Sequence, residues 1–393
     1  MIAEDVKKQI FEDLARHRYS VFQTIAWDAK CRTDLVEALN SHGYVHFQIH
    51  KLRYTDDQYA VVLADAKNSI EHLVLEREYS IQRGFLKKKM PLIVAGLLIA
   101  LIVLYASKDQ NLMSSTIVCL IPIVLGALFE YSVIKDQPQS LLKGVFKRSG
   151  IALLVILVFA IIVLREGTIC LVILMPIIYL ALLLGAVVMR FICFTLWKPT
   201  TKIYSLALLP LIFYFALPDL SQHNYGQTQR EMVIYAPQEQ VFKAINHIGS
   251  IQAEEVPDRF IFRMGFPKPI FGMTEQRAEG MVRTIQWERG VKFEERVQAS
   301  HAPYLLSWDY QFNENSFPKG SLDDHVEVGG KYFDLLKTDY QLEKIDAKTT
   351  KLILTIDYRV STEYNWYSKL WVNYILTEFS DVVMTIHKHR LEQ

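Results

Sequence analysis

The stretch Tyr364–Glu392, YNWYSKLWVNYILTEFSDVVMTIHKHRLE, decides the fold of the C-terminal part of this 393-residue chain. Its Tyr367, Leu370, Trp371, Tyr374, Ile375, Phe379, Val382, Val383 and Ile386 recur at helical spacing and give one broad apolar face. Upstream the period shortens to that of strands. Gly280–Glu288, Val291–Ala299, Tyr304–Phe312, Thr338–Lys344 and Thr349–Arg359 read as strands, with Arg289-Gly290 a tight hairpin between the first two. Met232–Tyr235 is a further β-like run, and Pro237 starts a helix on which Val241, Phe242 and Ile245 share a face.

An antiparallel sheet curled around a long closing helix is the α+β helix-grip arrangement, which encloses a cavity between sheet and helix. Alternation puts Tyr304, Leu306, Trp308, Tyr310 and Phe312 on one face of a strand, and Leu352, Leu354, Ile356 and Tyr358 on one face of another. Such faces fill packed cores more often than they line ligand sites. The excess of Trp and Tyr over Leu nevertheless fits an apolar pocket with a few orienting polar groups. Trp287, Phe293, Tyr340, Trp371 and Tyr374 complete the set of pocket candidates. Asp323, Asp324, His325 and Glu327 cluster beside Gly329-Gly330 and are polar candidates for the pocket mouth. A carboxylate with a His has the makings of an acid–base pair or a metal site, but an Asp- and Gly-rich stretch is also how any long turn reads. Spacing identifies no Ser-His-Asp or cysteine nucleophile arrangement, so no catalytic residue is assigned and enzyme activity stays open.

The segment EMVIYAPQEQVFKAI (Glu231–Ile245) resembles the opening of the START-like superfamily (SRPBCC, Bet v 1-like, or polyketide cyclase/dehydrase and lipid transport proteins), in which a strand ends in Ala-Pro before a helix carrying Val-Phe or Val-Trp. GFPKP (Gly265–Pro269), GGKYFDLLKTDYQLE (Gly329–Glu343) and the closing helix are similar to membrane-attached bacterial members, and the resemblance covers roughly residues 228–392. It implies a lipid or other hydrophobic small molecule in the cavity and a bacterial inner-membrane setting. Relatives include cyclases and hydrolases as well as carriers, and fold alone does not choose among them.

Between Met90 and Leu217 the charges almost vanish, which explains a mean hydropathy of +0.14 at 22% charged residues. A crossing needs about 20 apolar residues. Five spans are read, at about Met90–Ser107, Met113–Ile134, Gly150–Leu164, Thr168–Phe194 and Ile203–Leu217, the last of which is short enough that four crossings stay open. Lys87–Lys89, then Lys135, Lys143, Lys147 and Arg148, then Arg190, Lys198 and Lys202 collect in alternate loops, whereas the other loops carry only Lys108 and Arg165. By the positive-inside rule the N-terminus is cytoplasmic, and five crossings put the C-terminal domain on the periplasmic side. Glu130 and Arg190, near the cytoplasmic ends of their spans, read as snorkelling side chains or as a functional pair. No inverted repeat suggests a transporter. Pro122, Pro176 and Pro210 are expected to kink their helices.

Residues 1–87 read as a small α/β domain: an opening helix with Ile10, Phe11 and Leu14, strands at Tyr19–Trp27, Tyr44–His50 and Tyr59–Leu63, a helix at Arg32–Ser41 and another from about Ala66. His46 and His50 fall on the wet face of their strand rather than forming a metal site with His42. The N-terminus lacks the apolar run of a cleaved signal peptide. Cys31, Cys119, Cys170 and Cys193 have no zinc or redox spacing. No metal or cofactor is expected.

The charge balance, Lys+Arg 43 against Asp+Glu 42, leaves no basic stripe for a nucleic acid. The whole is therefore expected to be a multi-domain membrane protein: residues 1–87 cytoplasmic, 88–218 transmembrane and 228–393 helix-grip. Its expected partners are the lipid bilayer and a hydrophobic small molecule, with a protein partner, in a sensory or assembly role, as the alternative.

Overall fold

The computed structural model describes residues 2–24, 27–51, 58–63, 93–107, 113–136, 143–196, 208–278 and 280–393. The helix expected from about Ala66, Lys87–Lys89, Lys108, Lys198 and Lys202 lie outside the described residues. The chain divides into two compact units, Met1–Pro91 and Leu92–Gln393.

In the first unit, α1 (Glu4–His17), β1 (Tyr19–Gln23), α2 (Ala29–Ser41), β2 (Phe47–Lys51) and β3 (Gln58–Leu63) form a three-stranded antiparallel sheet, order β1-β3-β2, with two helices. Ile10, Leu14, Leu35, Leu39 and Val61 are fully buried in its core. The Asp28 side chain caps α2 by accepting the Cys31 N–H at 2.7 Å. His46 and His50 are exposed, and His42 stacks on Phe11 at 3.9 Å between ring centroids.

The second unit opens with α3 (Ile93–Ser107), α4 (Thr116–Ile134), α5 (Lys143–Leu164) and α6 (Thr168–Thr195). Among the described residues three helices, α4, α5 and α6, are long and apolar enough to cross a membrane; α3 is shorter, and of the expected fifth span the described part is α7 (Leu208–Ala216). Helices α4 and α6 pack backbone to backbone through reciprocal glycines. A Cβ on Gly126 would stand 2.1 Å from the Leu182 carbonyl oxygen, and one on Gly185 would stand 1.9 Å from that of Ile123. Small residues at such a crossing let the two backbones approach closely enough for extensive van der Waals packing.

One expectation needs correction here. Lys143, Lys147 and Arg148 are not loop residues but lie in the first turns of α5. Arg148 reaches Glu130 of α4 through Nε (3.1 Å) and Nη2 (2.7 Å) to Oε2, while Arg190 of α6 donates from Nη1 to Oε1 at 2.8 Å. Glu130 is only 1% exposed. It does not snorkel: it ties three helices together at one end. Replacing Glu130 with Gln leaves two guanidinium groups without their counter-charge and should cost about 3–5 kcal/mol. The check is denaturant unfolding of the detergent-solubilised chain, where a triple apolar replacement of Glu130, Arg148 and Arg190 should recover much of the loss.

After α7 come β4 (Asn224–Ile234), α8 (Gln238–Asn246), β5 (His247–Ser250), α9 (Phe260–Met264), β6 (Pro269–Arg277), β7 (Gly280–Trp287), β8 (Lys292–His301), β9 (Leu305–Gln311), β10 (Phe333–Lys344), β11 (Thr350–Val360) and α10 (Asn365–Glu392). The strands make one eight-stranded antiparallel sheet, order β4-β11-β10-β9-β8-β7-β6-β5, and α10 packs against it in a helix-grip fold. Strands β5 and β6 were not among those expected; the run PIFGMTEQR of β6, with Pro, Gly and four polar or charged residues, carries little alternation. Arg289 and Gly290, with φ of 60° and 76°, make the expected hairpin turn.

Candidate functional site

Between the sheet, α10 and the apolar helices lies a cavity of about 290 Å³. The curled sheet leaves room at its concave face, and α10 closes it with Trp371, Ile375, Phe379 and Val383. Of the expected residues, Trp287, Phe293, Trp308, Tyr310, Phe312, Tyr340 and Trp371 line this space. Four others do not. Leu306 and Tyr358 are buried in the packed core, where the Tyr358 hydroxyl donates to Asn373 Oδ1 at 2.7 Å. Tyr304 is 62% exposed because it lies in the turn ahead of β9, closed by its N–H to the His301 carbonyl at 2.7 Å, where strand alternation does not apply. Tyr374 is 37% exposed and sits one turn from the exposed Leu370, on the flank of α10 away from the cavity.

The wall facing away from solvent is charged. Arg283 of β7 and Glu295 of β8 stand directly opposite each other across the hairpin, with Nε to Oε2 at 2.8 Å. Arg283 Nη1 also donates to the Ile245 carbonyl at 2.8 Å, and the guanidinium lies 4.6 Å from the centre of the Trp308 ring. Burial pushes the Glu295 carboxyl up, and Arg283 pulls it back down. Nearby, Tyr310 and Thr338 share a hydroxyl–hydroxyl hydrogen bond of 2.6 Å, and burial raises the pKa of both Tyr310 and Tyr340. His387 of α10 also lines the cavity; burial, then the charges of Arg283 and Arg390, push its pKa down to about 3. The sequence reading did not single out Arg283 or His387. Arg283 was findable, since it and Glu295 are equidistant from the turn residue Arg289.

The expected mouth cluster disperses. His325 lines the cavity and meets Glu166 through Nε2 to Oε1 at 3.3 Å. Asp323 Oδ2 accepts the Cys170 N–H at 2.8 Å in the first turn of α6, Glu327 is exposed, and the Asp324 side chain lies outside the described residues. Asp323 and His325 thereby join the domain to the first turn of α6 and the residue Glu166 ahead of it. Met113, Cys170, Ile173 and Leu174, none of them expected, supply the wall on that side. The Tyr367 hydroxyl donates to the Ile173 carbonyl and Thr168 Oγ1 to that of Met264 at 2.8 Å, which fixes this wall in place.

No family model matches the chain, and no curated protein matches it. Among solved structures it is similar to a START superfamily protein from Mycobacterium smegmatis, at 10% identity over 44% of this chain and 99% of that one, with a TM-score of 0.28. It is also similar to the Zhui aromatase/cyclase from Streptomyces sp. R1128, at 10% identity over 42% and 92% of the two chains, TM-score 0.27. Truncated norcoclaurine synthase from Thalictrum flavum matches at 13% identity over 45% and 99%, TM-score 0.27.

The state of His387 has a measurable consequence. In the folded chain it stays neutral down to about pH 3, while an unfolded histidine takes a proton below its ordinary value of 6.5. Its contribution to stability is thus complete above that value and lost as the pH falls toward 3. Between pH 7 and 5 the chain should lose about 2 kcal/mol more stability than His387→Phe. Glu295 works in the opposite direction but is common to both proteins, so it cancels in the difference measured by denaturant unfolding.

Proposed function

We propose that this chain is a multi-pass membrane protein whose helix-grip domain binds a lipid or other hydrophobic small molecule in the cavity between sheet and α10. The observation that carries the proposal is the cavity itself: an apolar space walled jointly by the domain and by residues of α6. Concave, mostly apolar spaces with a few polar groups are what small-molecule sites look like. The charged pair in its wall favours binding over chemistry, because Arg283 and Glu295 already satisfy each other and the Ile245 carbonyl.

Residues 1–87 would lie in the cytoplasm, 88–218 in a bacterial inner membrane, and 228–393 on the periplasmic side. Support comes from where the helix ends fall. Helix α4 runs from Ser115, bonded to Glu363 of the C-terminal domain, to Glu130; α5 returns from Arg148 to Glu166; α6 runs back to Arg190. By Leu220 the chain is again bonded to Glu363, which supports a further crossing after α6 and, with α3, five in all. Lys143, Lys147, Arg148 and Arg190 collect at the end away from the domain, which the positive-inside rule makes cytoplasmic.

The test is to purify the full chain in detergent and identify co-purifying lipids by mass spectrometry. Bound lipid should appear in near-equal proportion to protein and be largely lost in Val383→Trp, which fills the cavity from α10. A chain that carries no lipid and takes up none from a broad panel would sink the binding role and favour a protein partner.

A further inference from the structure

A second hollow, of about 230 Å³, adjoins the cavity and shares Met113, Tyr332 and Thr362 with it. It lies where the apolar helices end. Tyr105 comes from the last turn of α3, Ser114 and Thr116 from the start of α4, and Tyr214 and Leu217 from the end of α7. The rings of Tyr105, Tyr214 and Phe215 meet there at 5.3 to 6.2 Å between centroids. Tyrosines gathered at the ends of apolar helices mark the depth of lipid headgroups.

The lining of this hollow is mixed where that of the cavity is apolar. Asp219 pairs with Lys331 at 3.4 Å, Glu363 accepts the Ser115 and Leu220 N–H groups, and the buried Ser114 hydroxyl has no hydrogen-bond partner among the described residues. A polar hollow at headgroup depth, beside a mostly apolar cavity, matches the two ends of one amphiphile. The partition between them is soft. Met113, with three rotatable bonds, can swing aside; its sulfur accepts a 3.3 Å hydrogen bond from the Tyr364 hydroxyl.

We infer that this hollow is an entry vestibule, in which a bilayer lipid seats its polar end while its acyl chain passes Met113 and Tyr332 into the cavity. The inference rests on the lipid-binding role of the cavity and adds its source and route: the ligand comes sideways from the leaflet, not from water. Two carboxylates against one lysine suit a zwitterionic or uncharged head better than an anionic one.

The full chain is reconstituted in phosphatidylethanolamine/phosphatidylglycerol vesicles containing a trace of phosphatidylcholine with a photoreactive group at the end of one acyl chain. After illumination, label should appear on the peptides carrying Phe293 and Trp308. Ser114→Trp and Ser221→Trp fill the vestibule from two different segments without lining the cavity, and each should lower that labelling several-fold. If one of them fails to fold, the other carries the comparison. Equal labelling in the wild type and the folded variants would overturn the vestibule and leave the cavity role standing. No cavity label in the wild type would overturn both.

Discussion

Two carboxylates from the C-terminal domain sit on the N-termini of two apolar helices, and the position of the cavity depends on them. Glu363 accepts the backbone N–H and the hydroxyl of Ser115 ahead of α4, and Asp323 accepts the N–H of Cys170 in α6. The first turn of any helix leaves N–H groups without partners and carries the positive end of the macrodipole, so a negative group placed there is held by both effects. In a helix that enters lipid, no water is at hand a turn further in to replace it. Around these contacts Ile169 packs with Ile261, Met264, Phe266 and Ile375, and Val118 and Ile177 pack with Tyr364 and Tyr367. The domain is seated, not merely tethered, and its cavity is thereby held against α6.

The electrostatics of the cavity follow from the same need to leave nothing charged without a partner. Arg283 and Glu295 are taken out of water together, on adjacent strands, with Trp308 stacked on the guanidinium. Three further groups of the wall are pushed toward neutrality by burial: the His387 imidazole is held unprotonated, and the Tyr310 and Tyr340 phenols stay protonated. Arg283 and Glu295 thus answer each other, and the rest of the wall is mostly apolar, which suits an acyl chain or a neutral ring system.

Much of this fold was legible in the sequence, and the misses have separate causes. The closing helix and the strands β7 to β9 and β11 announced themselves by period, because each buries one face. Tyr304 failed since alternation says nothing about where a strand begins, and its turn reverses the face. Leu370 and Tyr374 share the helical spacing of the buried positions, so their apolar face looked continuous when only part of it meets the sheet. Strand β5 is a four-residue strand at the sheet edge and β6 lies next to it, and neither has enough apolar alternation to be seen. Glu130 was paired with Arg190 but not with Arg148, because Arg148 was placed in a loop; a helix start is invisible when apolar content alone defines it. Of the site, the aromatic wall was foreseeable residue by residue. The wall from Met113, Cys170, Ile173 and Leu174 was not, since it arises only from contact between segments distant in sequence.

That composite wall gives the apolar helices a part in the cavity beyond any anchoring. A domain that needed its spans only as an anchor would keep its cavity closed by its own residues, and its surface toward the bilayer would be polar. Here Ile261, Met264, Phe266 and Ile375 bury against Ile169, and Tyr364 and Tyr367 against Val118 and Ile177, so the side of the domain next to the spans is itself a core. Separated from α4 and α6, the domain would expose that apolar surface and open one side of the cavity. Helices α4 and α6 in turn hold their own spacing through Gly126 and Gly185 and their far ends through Glu130, so the wall they offer is rigid. A cavity walled by both the domain and the apolar helices fits the proposed role, in which the ligand leaves lipid and enters protein without passing through water.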